Sequence, residues 1–158
     1  MWHTYEIITY QEKYKQELID MILDVYENEL GFVWYERPDI YDITSSYLQD
    51  TFNHFRIVID QKKEIMWCMA IWKKNKTLAY LKRMILKKEF RRSGIWVEML
   101  HIAITFAKKK CYKTIYAWTV KKNTTAISFY QSQWFEQINK APKDITAAKN
   151  HICLKIDL

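Results

Sequence analysis

Glycine is nearly missing from this chain: two in 158 residues, where ordinary usage runs near 7%. Proline is as scarce. Pro38 and Pro142 stand alone, so no Pro- or Gly-rich linker divides the sequence, and a single domain over 1–158 is expected. No apolar run approaches the roughly 20 residues of a membrane span. The start, Met1-Trp2-His3-Thr4-Tyr5-Glu6, lacks the basic-then-apolar layout of a signal peptide. Three cysteines, Cys68, Cys111 and Cys153, form no CxxC pair and no even-numbered framework, which predicts a reduced, cytoplasmic protein. Acidic residues are the minority, 18 against 25 Lys and Arg, for a net charge of +7. That balance excludes an acidic disordered tail and suits a polyanionic partner. What the chain has in abundance is apolar and aromatic mass: 49% hydrophobic residues, seven of them tryptophan, enough for one sizeable core.

The pattern of apolar residues predicts alternating elements. His3 to Thr9 reads as a strand, and Thr9-Tyr10-Gln11-Glu12 fits a capping box ahead of a helix bearing Tyr14, Leu18, Met21, Ile22 and Val25, stopped at Gly31. Asp39 to Gln49 reads as a second, short helix. Phe55 to Asp60, Ile65 to Trp72 and Leu78 to Leu86 form an antiparallel meander joined by polar turns. A long helix follows, with Val97, Leu100, Ala103, Ile104 and Ala107 as its apolar stripe and Lys108-Lys109-Lys110 in its last turn, where lysines complement the helix dipole. Thr114 to Val120 reads as a buried strand, Thr124 to Gln133 as a helix, and Phe135 to Ile138 and Ile152 to Ile156 as strands. The order β-α-α-β-β-β-α-β-α-β-β predicts an α/β fold: a mixed central sheet of about seven strands with about four helices.

The strongest chemical signal is the junction Met84-Ile85-Leu86-Lys87-Lys88-Glu89-Phe90-Arg91-Arg92-Ser93-Gly94-Ile95-Trp96. A strand runs into a basic turn that opens a long helix, where free amides and arginines together make an anion cradle. A basic turn on its own is more often a solvated loop. Arg91-x-x-Gly94-x-Trp96, after the strand Leu81 to Leu86, resembles the acetyl-CoA signature Gln/Arg-x-x-Gly-x-Gly/Ala of the GNAT N-acetyltransferases. Asn123-Thr124-Thr125-Ala126-Ile127-Ser128-Phe129-Tyr130-Gln131-Ser132-Gln133-Trp134-Phe135 resembles that family's Asn-x-x-Ala-x-x-Phe-Tyr-x-x-x-Gly-Phe segment. The likeness is best from about Ile65 to Ile138, while the N-terminal third agrees mainly in element order.

The resemblance implies a GNAT fold and transfer of an acetyl group from acetyl-CoA to a primary amine by direct attack in a ternary complex. By analogy, the backbone of Met84, Ile85 and Leu86 would pair with the pantetheine arm. Amides from Arg92 through Ser93, Gly94, Ile95 and Trp96 to Val97, with the Arg91 and Arg92 side chains, would hold the pyrophosphate. Asn123, Ala126 and Phe129 would line the cofactor arm, and Tyr130 would be the general acid to the leaving thiolate. The implied partners are acetyl-CoA and an amine acceptor, small molecule or protein amine, with homodimer formation open; no membrane partner is implied, no metal is required, and scattered lysines argue against nucleic acid. The different-class alternative is a GNAT-like domain that no longer catalyses and binds a ligand, protein or RNA partner.

Each residue also has a plainer role. Tyr130 on an apolar helix face suits a core tyrosine, Asn123 suits an N-cap, and His3, His54, His101 and His151 lie in separate elements without ligand spacing. The general base stays open: related acetylases of ribosomal proteins carry Glu where this chain has Trp118. Glu36, Asp39 and Asp42 could draw a cationic amine or simply face solvent. Trp67, Trp96 and Trp134 stand at positions where the family usually has a small residue, and Cys111 replaces a helix-stop glycine. Two accounts fit: a divergent member that has accommodated large residues, or a gene whose UGA codons mean glycine and are rendered here as tryptophan. The second leaves Cys111 unexplained. An indole at Trp96 would crowd the turn where backbone must approach pyrophosphate.

Overall fold

The computed structural model describes residues 4–31, 37–140, 142 and 150–158. Strand β1 (Tyr5–Thr9) leads through a 3-10 turn (Glu12–Tyr14) into α1 (Lys15–Asp24), which widens at Val25–Glu29 and stops at Gly31, φ 70°. A short α2 (Pro38–Tyr41) and a wide turn (Thr44–Leu48) precede the meander β2 (His54–Asp60), β3 (Ile65–Lys73) and β4 (Leu78–Leu86). Then come α3 (Ile95–Lys109), β5 (Thr114–Val120), α4 (Thr124–Ser132), β6 (Glu136–Ile138) and β7 (His151–Asp157). The predicted order and class hold: one mixed seven-stranded sheet, β1-β2-β3-β4-β5-β7-β6, flanked by helices.

Two apolar clusters explain the layering. One face of the sheet is covered by α1 and α2, with Leu18, Ile22, Ile40, Phe55 and Ile57 packed together. The other is covered by α3 and α4, with Trp67, Met69, Met99, Leu100 and Tyr130. β3 lies between them and is buried on both faces from Ile65 to Ile71, which is why it reads as an unbroken apolar run rather than an alternating one.

Three local expectations change. The capping box does not form: Gln11 caps the first turn without a side-chain bond, Thr9 Oγ1 accepts from Arg56, and Glu12 is engaged by Lys15, Tyr10 and Thr44. The second helix breaks into two pieces because Asp42 leaves helical geometry. The buried stripe of α3 is Ile95, Met99, Leu100, Ala103 and Ala107. Val97 faces outward and Ile104 is half-buried, the helix being rolled so that its first turn is anchored by Ile95.

The feature that creates a site is where β4 leaves β5. The two strands pair in parallel only from Leu78–Tyr80 against Thr114–Tyr116, while β5 runs on against β7 as far as Val120. Against β3, the register jumps between Cys68 and Ala70, so Arg83 and Met84 together oppose Met69. Arg83 takes a left-handed φ of 54°. This is a β-bulge, which bends and twists the strand that carries it, and it opens a wedge between the lower halves of β4 and β5.

Candidate active site

The wedge is the mouth of a cleft of about 730 Å³, walled by β4 from Leu81 to Leu86, the 91–97 turn, Trp118 and Thr119 of β5, and one side of α4. The predicted binding residues Met84, Ile85, Leu86, Arg91, Arg92, Ser93, Gly94, Trp96, Val97, Asn123, Ala126 and Phe129, and the predicted catalytic Tyr130, all line it. Ile95 does not, being the buried pin of the turn. Among the described residues, no strand pairs with β4 on the β5 side beyond Tyr80, which leaves the Met84–Leu86 backbone open there to an added strand.

At one end, Arg92 and Gly94 both adopt left-handed backbone, φ 69° and 80°, and Ser93 Oγ donates to the Phe90 carbonyl at 2.7 Å. The amides of Arg92, Ser93, Gly94, Ile95 and Trp96 have no protein acceptor among the described residues. Consecutive unpaired amides at a helix start are an anion nest. Val97 differs from expectation, since its amide donates to the Gly94 carbonyl at 3.1 Å. The two arginines also part. Arg91 is tied to Glu29 and to the Leu86 carbonyl, strapping the turn to the end of α1, while Arg92 is exposed and has no ion-pair partner among the described residues.

At the throat, Tyr130 is 7% exposed and its hydroxyl donates to Met84 Sδ at 3.4 Å. Burial, with Tyr26 nearby, pushes its pKa upward, so the hydroxyl is protonated at neutral pH. A thioether is a weak acceptor, which leaves that proton poorly used by the protein itself. Asn123 does cap α4: Oδ1 accepts from the Ala126 amide and Nδ2 donates to Thr119 Oγ1, each at 3.3 Å. Trp96 turns its ring into the α3–α4 packing, 4.8 Å from Phe129 and 6.1 Å from Trp67, with only one edge on the cleft. Among the described residues, the Nε1 of both indoles is buried without an acceptor.

The far end departs from expectation. Asp39 does not face an acceptor. Both of its oxygens take the Arg83 fork, at 2.6 and 2.9 Å, and Oδ2 also accepts from Tyr47 at 2.6 Å. The Arg83 guanidinium overcomes the cost of burial and holds the Asp39 pKa below the carboxylate range. Asp42 is exposed and accepts from the Ser45 amide, and Glu36 lies outside the described residues. In place of these acids the structure brings in Tyr26, Lys82 and Arg83, which sequence reasoning passed over. Their one signal was two adjacent cations inside the apolar strand Leu81–Leu86. Trp118 presents an indole packed edge-on to Tyr80 at 5.2 Å. Among the described residues no group of three or more His, Cys, Asp or Glu is placed to hold a metal ion, and no helix is long and apolar enough to cross a membrane.

The parallel strand pair splayed by a bulge, with an amide nest below it, frames this cleft. The chain belongs to the Acetyltransferase (GNAT) family, whose model matches residues 16–134. Among solved structures it is similar to an acetyltransferase of GNAT family from Staphylococcus aureus Mu50, at 24% identity and TM-score 0.90, with 98% of this chain and 99% of that one covered. It is also similar to an acetyltransferase from Streptococcus agalactiae 2603, at 20% identity and TM-score 0.89, with 98% of each chain covered. The PaiA N-acetyltransferase from Thermoplasma acidophilum, solved in complex with coenzyme A, matches at 14% identity and TM-score 0.80, with 98% and 99% covered. No curated protein matches. These likenesses establish the fold.

Proposed function

We propose that the chain is a single-domain, cytoplasmic N-acetyltransferase that uses acetyl-CoA and acylates a primary amine directly in a ternary complex. The observation that carries this reading is the coincidence, in one cleft, of an open β4 edge, an unpaired amide nest and a buried, protonated tyrosine between them. The residues fit the donor substrate. The free amides of Arg92 to Trp96, aided by the Arg92 side chain, suit a pyrophosphate. The unpaired Met84–Leu86 edge suits an amide-bearing arm, and Tyr130 suits a developing thiolate, to which it would give its proton. Acetyl-CoA brings the thioester, and the protein contributes orientation, exclusion of water and that proton.

One observation favours the alternative of a domain that binds without catalysing. Among the described residues, the only carboxylate lining the cleft is Glu29, and Arg91 neutralises it, so none of them offers a free carboxylate as general base. Isothermal titration with acetyl-CoA separates the two. A micromolar Kd, about −8 kcal/mol, supports the enzyme, and Arg92→Ala should weaken binding about fivefold, or ~1 kcal/mol, for loss of one exposed cation against phosphate. No detectable binding supports the alternative.

A further inference from the structure

We infer that the acceptor carries a carboxylate beside its amine, as a free amino acid does, and that Lys82 holds that carboxylate. This rests on the acetyltransferase reading of the same cleft. The argument begins with charge. Arg83 and Asp39 cancel each other through a bidentate ion pair, and the third arm of Arg83 donates to Tyr26 at 2.9 Å. Lys82 is left over. Its ammonium sits over the Trp72 ring at 5.2 Å and the Tyr47 ring at 6.0 Å, and among the described residues no oxygen accepts from it. It lines the cleft with Tyr26, Arg83 and Trp118.

A half-buried ammonium held on ring faces keeps its donors without an acceptor, and charged hydrogen bonds are the strong ones. Burial, and the nearby Arg83 charge, push its pKa down, with only Asp39 opposing them. Those are the conditions under which an incoming anion is taken up. Lys82 and Met84 flank the bulged, left-handed Arg83 on β4, both line the same cleft, and Met84 Sδ is the atom that Tyr130 touches. An anion on Lys82 and an amine at the Met84–Tyr130 throat would therefore share one cleft, as the two groups of a single small molecule can.

The test pairs each amino acid in a panel with its own amide and follows release of CoA thiol with a disulfide dye. Wild type should prefer the acids by at least about tenfold in kcat/KM. Lys82→Met should abolish the preference by raising KM for the acids about tenfold, with kcat within threefold and acetyl-CoA affinity unchanged by titration. Lys82→Arg should restore the preference. Equal or better turnover of the amides, or turnover of neither, overturns the inference, even if Lys82→Met fails to fold. A fall in kcat at constant KM also overturns it, by assigning Lys82 to proton removal instead. Failure to bind acetyl-CoA at all is separable: it overturns the acetyltransferase reading, and this inference with it.

Discussion

Replacing Trp134 with glycine should stabilise the protein, and the magnitude follows from its position. Trp134 closes α4 as a Schellman cap: its amide donates to the Gln131 carbonyl at 3.1 Å and the Phe135 amide to the Tyr130 carbonyl at 3.0 Å. That pattern requires left-handed backbone at the residue after the helix, and Trp134 has φ 70°. A side chain there costs about 1–2 kcal/mol. The indole recovers little, because the residue is 84% exposed. Glycine gives back several tenths of a kcal/mol through its freer unfolded chain, leaving a net gain of about 1 kcal/mol. For a chain this size that is about 2–4 °C in Tm. Cys111, φ 63° after α3, has the same geometry, with its amide on Lys108 and that of Tyr112 on Ala107, each at 3.0 Å. Lying in a separate cap, Cys111→Gly should add to Trp134→Gly within about 0.5 kcal/mol. Urea unfolding is the assay: the midpoint should rise at constant m, since the exposed area is unchanged. A midpoint unchanged or lowered in both variants would refute the strain argument. Codons 67, 96 and 134 then separate the two origins of the pattern. TGG at all three makes the tryptophans genuine and removes the recoded-UGA origin.

Tyr130→Phe should lower kcat by about 10², the low end for a lost general acid, while acetyl-CoA affinity stays within a few-fold; steady-state kinetics and titration check this, and an unchanged kcat removes Tyr130 from the mechanism. The ring contacts with Phe129 and Phe135 at 5.7 and 5.2 Å survive that change, so the melting curve should barely move. His54 gives a pH prediction. It is 5% exposed, neither ring nitrogen has a hydrogen-bond partner among the described residues, and burial with the Arg56 charge lowers its pKa from 6.5 to about 3. The unfolded chain therefore takes up the proton first, so stability is full above about pH 6.5 and falls as pH drops, by about 2 kcal/mol at pH 5. His54→Leu should flatten the melting temperature between pH 5 and 7, and an equally steep profile in that variant would move the effect to another group.

The parts of the fold legible in the sequence are those set by local periodicity or by backbone geometry. β5 falls on the predicted Thr114–Val120 because its apolar run is bounded by lysines and a turn. Trp134 and Cys111 were suspected of standing in glycine positions, and both backbones are left-handed, so the demand of the helix stop persists whichever residue fills it. The capping box failed because Thr9 and Glu12 found partners elsewhere in the fold. The acceptor end failed in the same way on a larger scale. Asp39 looked available to attract a cation because its partner, Arg83, lies 44 residues downstream, beyond any local pattern. Arg83 reaches it from a bulge that no turn residue announces. Once that pair forms, the acid that seemed to define the site is neutralised, and the lysine beside the bulge remains as the uncompensated charge. The sign of the proposed acceptor pocket is therefore set by a tertiary contact, the level at which a one-dimensional reading of charge breaks down.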